Sequence, residues 1–150
     1  MIKEIEDLKK QGLKIGITFS TFEMLHPGHL DMLMQARSQC DYLIVGLLTN
    51  PQNDREDKNK PIETSFERYL RLHAVKYVDM IIPFDTERDI ENMIKVIKPD
   101  IRFCGKEYVG KKHTGWDLCP IIYNDRDHDW SSSSLREKIY KDEAKKLKQQ

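Results

Sequence analysis

The sequence runs to 150 residues with 25 basic and 25 acidic side chains, a length that suits one domain and a charge balance that excludes a general binder of nucleic acid or anionic membrane. No run approaches a membrane span, and the charged start from Met1 to Glu6 lacks the apolar core of a signal peptide. Cys40, Cys104 and Cys119 are odd in number and form no CxxC pair, which predicts free thiols in a reducing, cytoplasmic compartment.

Ile2, Ile5 and Leu8 have helical spacing, and Gly12 ends that helix. Lys14 to Phe19 reads as a strand, and Leu30, Leu33 and Met34 carry a helix on to Cys40. Tyr42 to Leu48 is an unbroken apolar run of strand length, the pattern of a strand covered on both faces. Thr49 to Glu63 is rich in proline, asparagine and charge and has no periodicity, which predicts a long mobile loop. Thr64-Ser65-Phe66-Glu67 is a capping-box pattern opening a helix to about Lys76. Val78 to Pro83 reads as a strand, Glu87 to Lys98 as a helix stopped by Pro99, and Ile101 to Cys104 as another strand. An irregular stretch from Gly105 to Leu118 precedes a short strand, Pro120 to Tyr123, and a last helix from Ser131 ends in a lysine-rich tail. This alternation predicts an α/β fold, a doubly wound parallel sheet in a single domain over residues 1–150. Its parts are an N-terminal helix over 2–11, a core from about 13 to 140, and the C-terminal helix. Met24, Met32, Leu33 and Met34 are expected in the core.

The most informative segment is His26-Pro27-Gly28-His29, placed where the first strand gives way to a helix. Pro27 is tolerated at a helix start, and Gly28 has no Cβ to hold a ligand off the backbone. A helix opening here aims unpaired N–H groups at an anion, and residues three apart share a face, so both imidazoles can reach one phosphate. Metal coordination is the competing reading, although metalloprotease histidines are four apart beside a glutamate and no cysteine cluster completes a zinc site. A structural turn with two incidental histidines is the other.

Two motifs bear on the choice. Thr18 to His29 resembles the GTFD-x-x-HxGH signature of the HxGH nucleotidyltransferase superfamily, and Trp130-Ser131-Ser132-Ser133-Ser134-Leu135-Arg136 resembles its second, serine-rich signature. Both occur, in the family's order. Lys60-Pro61-Ile62 with Glu67-Arg68, His73 to Asp79, and Lys106 to Lys111 are similar to three further segments of the glycerol-3-phosphate cytidylyltransferase group. Lys76 stands where that group usually has arginine, while Asn50 and Lys106 replace acids.

The resemblance implies a Rossmann-like fold and a reaction in which an acceptor phosphate attacks the α-phosphorus of CTP, releasing pyrophosphate. A phosphate monoester is already close to a dianion at neutral pH, so positioning and charge stabilisation suffice. By resemblance, His26 and His29 hold the α-phosphate, Lys60 closes over the phosphates, and Arg126 holds the leaving pyrophosphate with Ser131, Ser132 and Ser133. Thr18, Phe19, Ser20, Thr21, Gly28, Arg68 and Gly105 would complete the nucleotide site, with Lys76, Lys106 and Lys111 toward the acceptor. The implied partners are CTP or another nucleoside triphosphate, a small phosphorylated acceptor such as glycerol 3-phosphate, and a second copy in a homodimer. Nucleic acid and membrane are not among them. Mg²⁺ or another divalent cation is the implied cofactor, with no protein side chain singled out as its ligand. An adenylyltransferase acting on a sugar phosphate or cofactor precursor, and a nucleotide sensor without turnover, are the alternatives. The loss of two acids at Asn50 and Lys106 further suggests an acceptor more negative than glycerol 3-phosphate, or one with an extra carboxylate, held by Lys106 with Lys111 or Lys112.

Overall fold

The structure, a computed structural model, describes residues 1–149. Its strands are β1 (Ile15–Ser20), β2 (Tyr42–Leu48), β3 (Met80–Phe84), β4 (Ile101–Gly105) and β5 (Ile121–Asn124), and its helices are α1 (Ile2–Lys10), α2 (Pro27–Arg37), α3 (Ser65–His73), α4 (Glu87–Ile97) and α5 (Ser132–Lys148). All pairings are parallel, in the order β3-β2-β1-β4-β5. The α/β, Rossmann-like reading is therefore what the chain adopts, and β1 and β4 flank the point where strand order reverses.

Side chains alternate across each strand, so the sheet divides its core in two. Leu43, Val45, Leu47, Ile101 and Phe103 face one side, against Leu33 and Ala36 of α2 and Leu72 of α3. Ile15, Ile17 and Ile44 face the other, against Ile5 of α1 and Ile97 of α4. Leu48, Phe84, Ile90 and Ile94 extend this second side toward the strands' carboxyl ends. Gly46 is required by close packing, since a Cβ there would lie 2.2 Å from the Phe19 ring.

Helix ends follow local chemistry. Gly12, with φ +80°, follows α1, and the Thr64–Glu67 capping box opens α3. Lys98 adopts a left-handed φ of 50° at the end of α4, before Pro99. Three expected boundaries move. Helix α2 stops at Arg37, and Cys40 turns back so that its Sγ donates to the Ala36 carbonyl. Helix α3 stops at His73, with residues 74–79 forming a turn whose Asp79 caps the amide of Leu43. Strand β3 begins at Met80 and includes Pro83, which an edge strand paired only with β2 can accommodate. Leu33 is core as expected and Met32 packs against it while also lining the cleft described next; Met24 is half-buried and Met34 is exposed.

The two irregular stretches each contain a short 3₁₀ turn, Pro51–Asn53 and Lys106–Tyr108. The first stretch is tied down by polar anchors: Asn53 Nδ2 donates to the Asp85 carbonyl, and the Asp54 carboxylate accepts from the Glu87 amide. No helix among the described residues is long and apolar enough to cross a membrane.

Candidate active site

A cleft of about 1030 Å³ opens at the carboxyl ends of β1 and β4. His26 is the N-cap of α2, Pro27 its first residue and His29 its third helical position. The two rings stack, with centroids 3.8 Å apart and planes at 22°. Each ring's Nδ1 is occupied by backbone: Gly28 N–H donates to His26 at 3.1 Å, and His26 N–H donates to His29 at 3.3 Å. An Nδ1 that accepts leaves the neutral ring's proton on Nε2. Both histidines are thereby fixed as Nε2–H donors at a helix N-terminus.

Burial holds the pair neutral. His29 is lowered to about 3, first by burial, then by the nearby His26 and Arg126. His26 is lowered for the same leading reason, with Arg126 and His128 adding to it. Gly28 lets a further segment close against this turn: a Cβ there would lie 2.9 Å from the Trp130 carbonyl and 3.0 Å from the rings of His128 and His26.

That segment, residues 125–133, lies opposite. Ser131 caps α5 by accepting from the Ser134 amide, and Ser132 Oγ donates to the Glu23 carbonyl. Arg126 donates to the Trp130 carbonyl at 3.2 Å and stands 3.8 Å from Glu107. His128 stacks on Trp130 at 4.6 Å and accepts the Trp130 N–H on its Nδ1. The sequence assigns His128 no role, although it lies two residues before the serine-rich signature that Trp130 opens.

Glu23 joins these parts. Its buried carboxylate accepts from the amides of Ile62 and Glu63 and pairs with Arg136 at 2.6 Å. Three chain segments thus converge on one carboxylate: the approach to the histidine turn, the end of the lysine loop and the first turns of α5. Burying that carboxylate is tolerable because its oxygens are filled by charge-assisted donors.

The cleft brings together most of the expected nucleotide-site residues. The end of β1 contributes Thr18, Phe19, Ser20 and Thr21, the turn His26, Gly28 and His29, β4 Gly105, and the opposing segment Arg126 and Ser131–Ser133. Thr18 needs one correction. The residue is 2% exposed and its hydroxyl donates to the Phe103 carbonyl at 3.1 Å, so it ties β1 to β4.

Five other expected residues stand outside the cleft lining. Arg68 is 1% exposed and spends its guanidinium on the carbonyls of Thr21, Leu48, Thr49 and Glu63, holding together the loops beneath the site. Lys60 points to solvent, while its neighbour Lys58 lines the cleft. Lys76 lies between α3 and β3, where the chain enters the strand's amino end, and parallel strands put that end opposite the cleft. Its ammonium sits 5.2 Å from the Tyr77 ring. Lys106 and Lys111 turn outward from the β4–β5 connection, and Glu107 and Lys112 face the cleft instead. Asn50, one of the replaced acids, caps the 3₁₀ turn by accepting from the Gln52 amide.

Among the described residues no three His, Cys, Asp or Glu side chains are grouped to hold a metal ion.

Comparison with known proteins finds relatives over most of the chain. Over 133 residues the chain is 30% identical to glycerol-3-phosphate cytidylyltransferase of Staphylococcus aureus, covering 89% of this chain and 100% of that one. It is 34% identical over 115 residues to bifunctional protein HldE of Caulobacter vibrioides, covering 76% of this chain but 24% of that protein, so it spans about a quarter of such relatives. Among solved structures, the lipopolysaccharide core biosynthesis protein of Thermoplasma volcanium has a TM-score of 0.57 at 23% identity, covering 87% of this chain and 88% of that one, a likeness of fold. A family model described as cytidylyltransferase-like matches residues 17–138, a span that holds both the histidine turn and the serine-capped start of α5; the chain belongs to this family of nucleotidyltransferases.

Proposed function

We propose that the protein transfers CMP from CTP to a small phosphorylated acceptor of the glycerol 3-phosphate type, releasing pyrophosphate. The carrying observation is the stacked histidine pair, whose Nδ1 atoms are both occupied by backbone N–H groups, leaving two Nε2–H donors in the cleft. In this reading the α-phosphate lies against those donors, which stabilise charge as phosphorus passes through five coordination. An acceptor phosphate oxygen bonds to the α-phosphorus, and the bond to the pyrophosphate oxygen breaks. The departing charge meets the amino end of α5 at Ser131–Ser133, beside Arg126. Mg²⁺ would supply counter-charge to the triphosphate. Neutral histidines suit the task, because they donate without needing to gain a proton.

The identity to a cytidylyltransferase over that relative's full length supports CTP and a polyol phosphate. Adenylyl transfer to a sugar phosphate is the second reading. It uses the same histidines and serines, and the higher identity to the differently named bifunctional relatives keeps it in view. The test is pyrophosphate release from CTP, ATP, GTP and UTP against a panel of phosphorylated acceptors with Mg²⁺. Turnover with CTP and glycerol 3-phosphate supports the first reading, turnover with ATP and a sugar phosphate replaces it with the second, and nucleotide binding without turnover would leave a sensor.

A further inference from the structure

Two arginines of this chain are deeply buried, and they are used in opposite ways. Arg68 fills its donors with four carbonyls. Arg102 is 6% exposed, yet only one carbonyl, that of Thr114, accepts from it, through Nη1; the Cys104 thiol lies beside it, and its buried Nε has no partner. A guanidinium at that depth ordinarily has its donors satisfied, because desolvation is costly. This one opens on the cleft.

Its direction follows from strand alternation. Ile101 and Phe103 face the α2 side, so Arg102 between them faces α4, with its guanidinium carbon 5.2 Å from the Phe19 ring centroid. His113 lines the same wall and carries a second buried, unpartnered nitrogen, Nε2. Burial, and next the Arg102 charge, hold His113 below its ordinary value. Lys112, over the Trp116 ring at 5.6 Å, adds a second cation to the wall. The acid on this side is already engaged: Glu87 accepts from the Thr114 hydroxyl and pairs with Arg55 at 3.3 Å.

In-line displacement requires the nucleophile to approach opposite the leaving group. The serine-capped end of α5 is bound to Glu23, beside the histidine turn. Arg102 and His113 lie beyond Phe19, on the sheet face covered by α4. We infer that Arg102 and His113 form the subsite for the acceptor's phosphate, the role that the outward-turned Lys106 and Lys111 do not fill. This rests on the nucleotidyl-transfer reading. The guanidinium edge and the ring nitrogen orient a phosphate monoester so that one of its oxygens faces the α-phosphorus.

The test measures steady-state kinetics of Arg102→Met, Arg102→Lys and His113→Ala with the best acceptor found in the screen. Loss of a charge-assisted contact predicts an acceptor KM raised roughly ten- to a hundredfold in Arg102→Met, with the triphosphate KM unchanged. Arg102→Lys should recover part of this, since charge survives without the planar fork. An unchanged acceptor KM, or an equal rise in both KM values, overturns the subsite and makes Arg102 a loop anchor. If Arg102→Met does not fold, His113→Ala is decisive by the same criteria. If no pair of substrates turns over, the nucleotidyl-transfer reading has failed, and calorimetric titration with glycerol 3-phosphate tests the subsite alone. Binding to the parent protein that is lost in Arg102→Met supports it; equal binding, or none, rejects it.

Discussion

His26 does two jobs that substitution can separate. Its Nδ1 caps α2 through the Gly28 amide at 3.1 Å, and its Nε2–H is the donor assigned to the α-phosphate. Alanine removes both. Losing a cap costs about 1 kcal/mol, or a fall in Tm of about 2–4 °C for a chain of this size. Losing an oxyanion-type donor costs about 3 kcal/mol in the barrier, a fall in kcat of roughly a hundredfold or more. A surface turn would show no change in Tm, but His26 is 8% exposed and structurally engaged. Asparagine offers the contrast: its side-chain oxygen can accept from the Gly28 amide, while it is too short to put a donor where Nε2 lies. His26→Asn should therefore keep Tm near the parent value and still lose turnover as His26→Ala does. Thermal melting and pyrophosphate release on the parent and both variants decide it. Near-normal turnover in His26→Asn would refute the Nε2 assignment, and an unchanged Tm in His26→Ala would refute the cap.

Because His29 is lowered to about 3 in the folded chain while an unfolded histidine titrates near 6.5, the unfolded state binds more protons between those values. Stability should fall as pH drops through that window, by about 1.4 kcal/mol per pH unit for this group, and chemical denaturation of His29→Gln should show a shallower dependence; parallel curves would mean the ring is not held neutral. Glu23→Ala strands the Arg136 charge and two loop amides, predicting a loss of about 3 kcal/mol by denaturation together with faster amide exchange at Ile62 and Glu63; exchange unchanged at those amides would show the loop is held elsewhere. Gly28→Ala, normally favourable in a helix, should here destabilise and inactivate because its Cβ meets the Trp130 carbonyl at 2.9 Å, and a gain in Tm would show that the contact relaxes freely.

Much of this protein is readable from neighbours in sequence. The apolar run Tyr42–Leu48, the capping box at Thr64 and the stop at Pro99 declare themselves because each depends on residues a few positions apart. So does the histidine turn, whose cap, proline and glycine lie within four residues. The ends of α2 and α3 were less legible, since apolar spacing continues past the last helical turn into the segments that pack beneath the sheet. Tertiary structure alone decided where the charges went. Glu23 meets Arg136 across 113 positions, and no local pattern marks either as a partner. Arg68 reads by resemblance as a nucleotide-site residue until the loops from β1 and β2 cover it, and Lys76 as an acceptor contact until parallel pairing sends it to the far end of the sheet. Arg102 sits in an apolar strand where sequence offers no reason for a charge. Only strand alternation turns it toward the cleft, and only the return of the β4–β5 connection sets His113 and Thr114 beside it. Local periodicity and capping act over one or two turns, whereas desolvating a charge depends on every segment that packs around it.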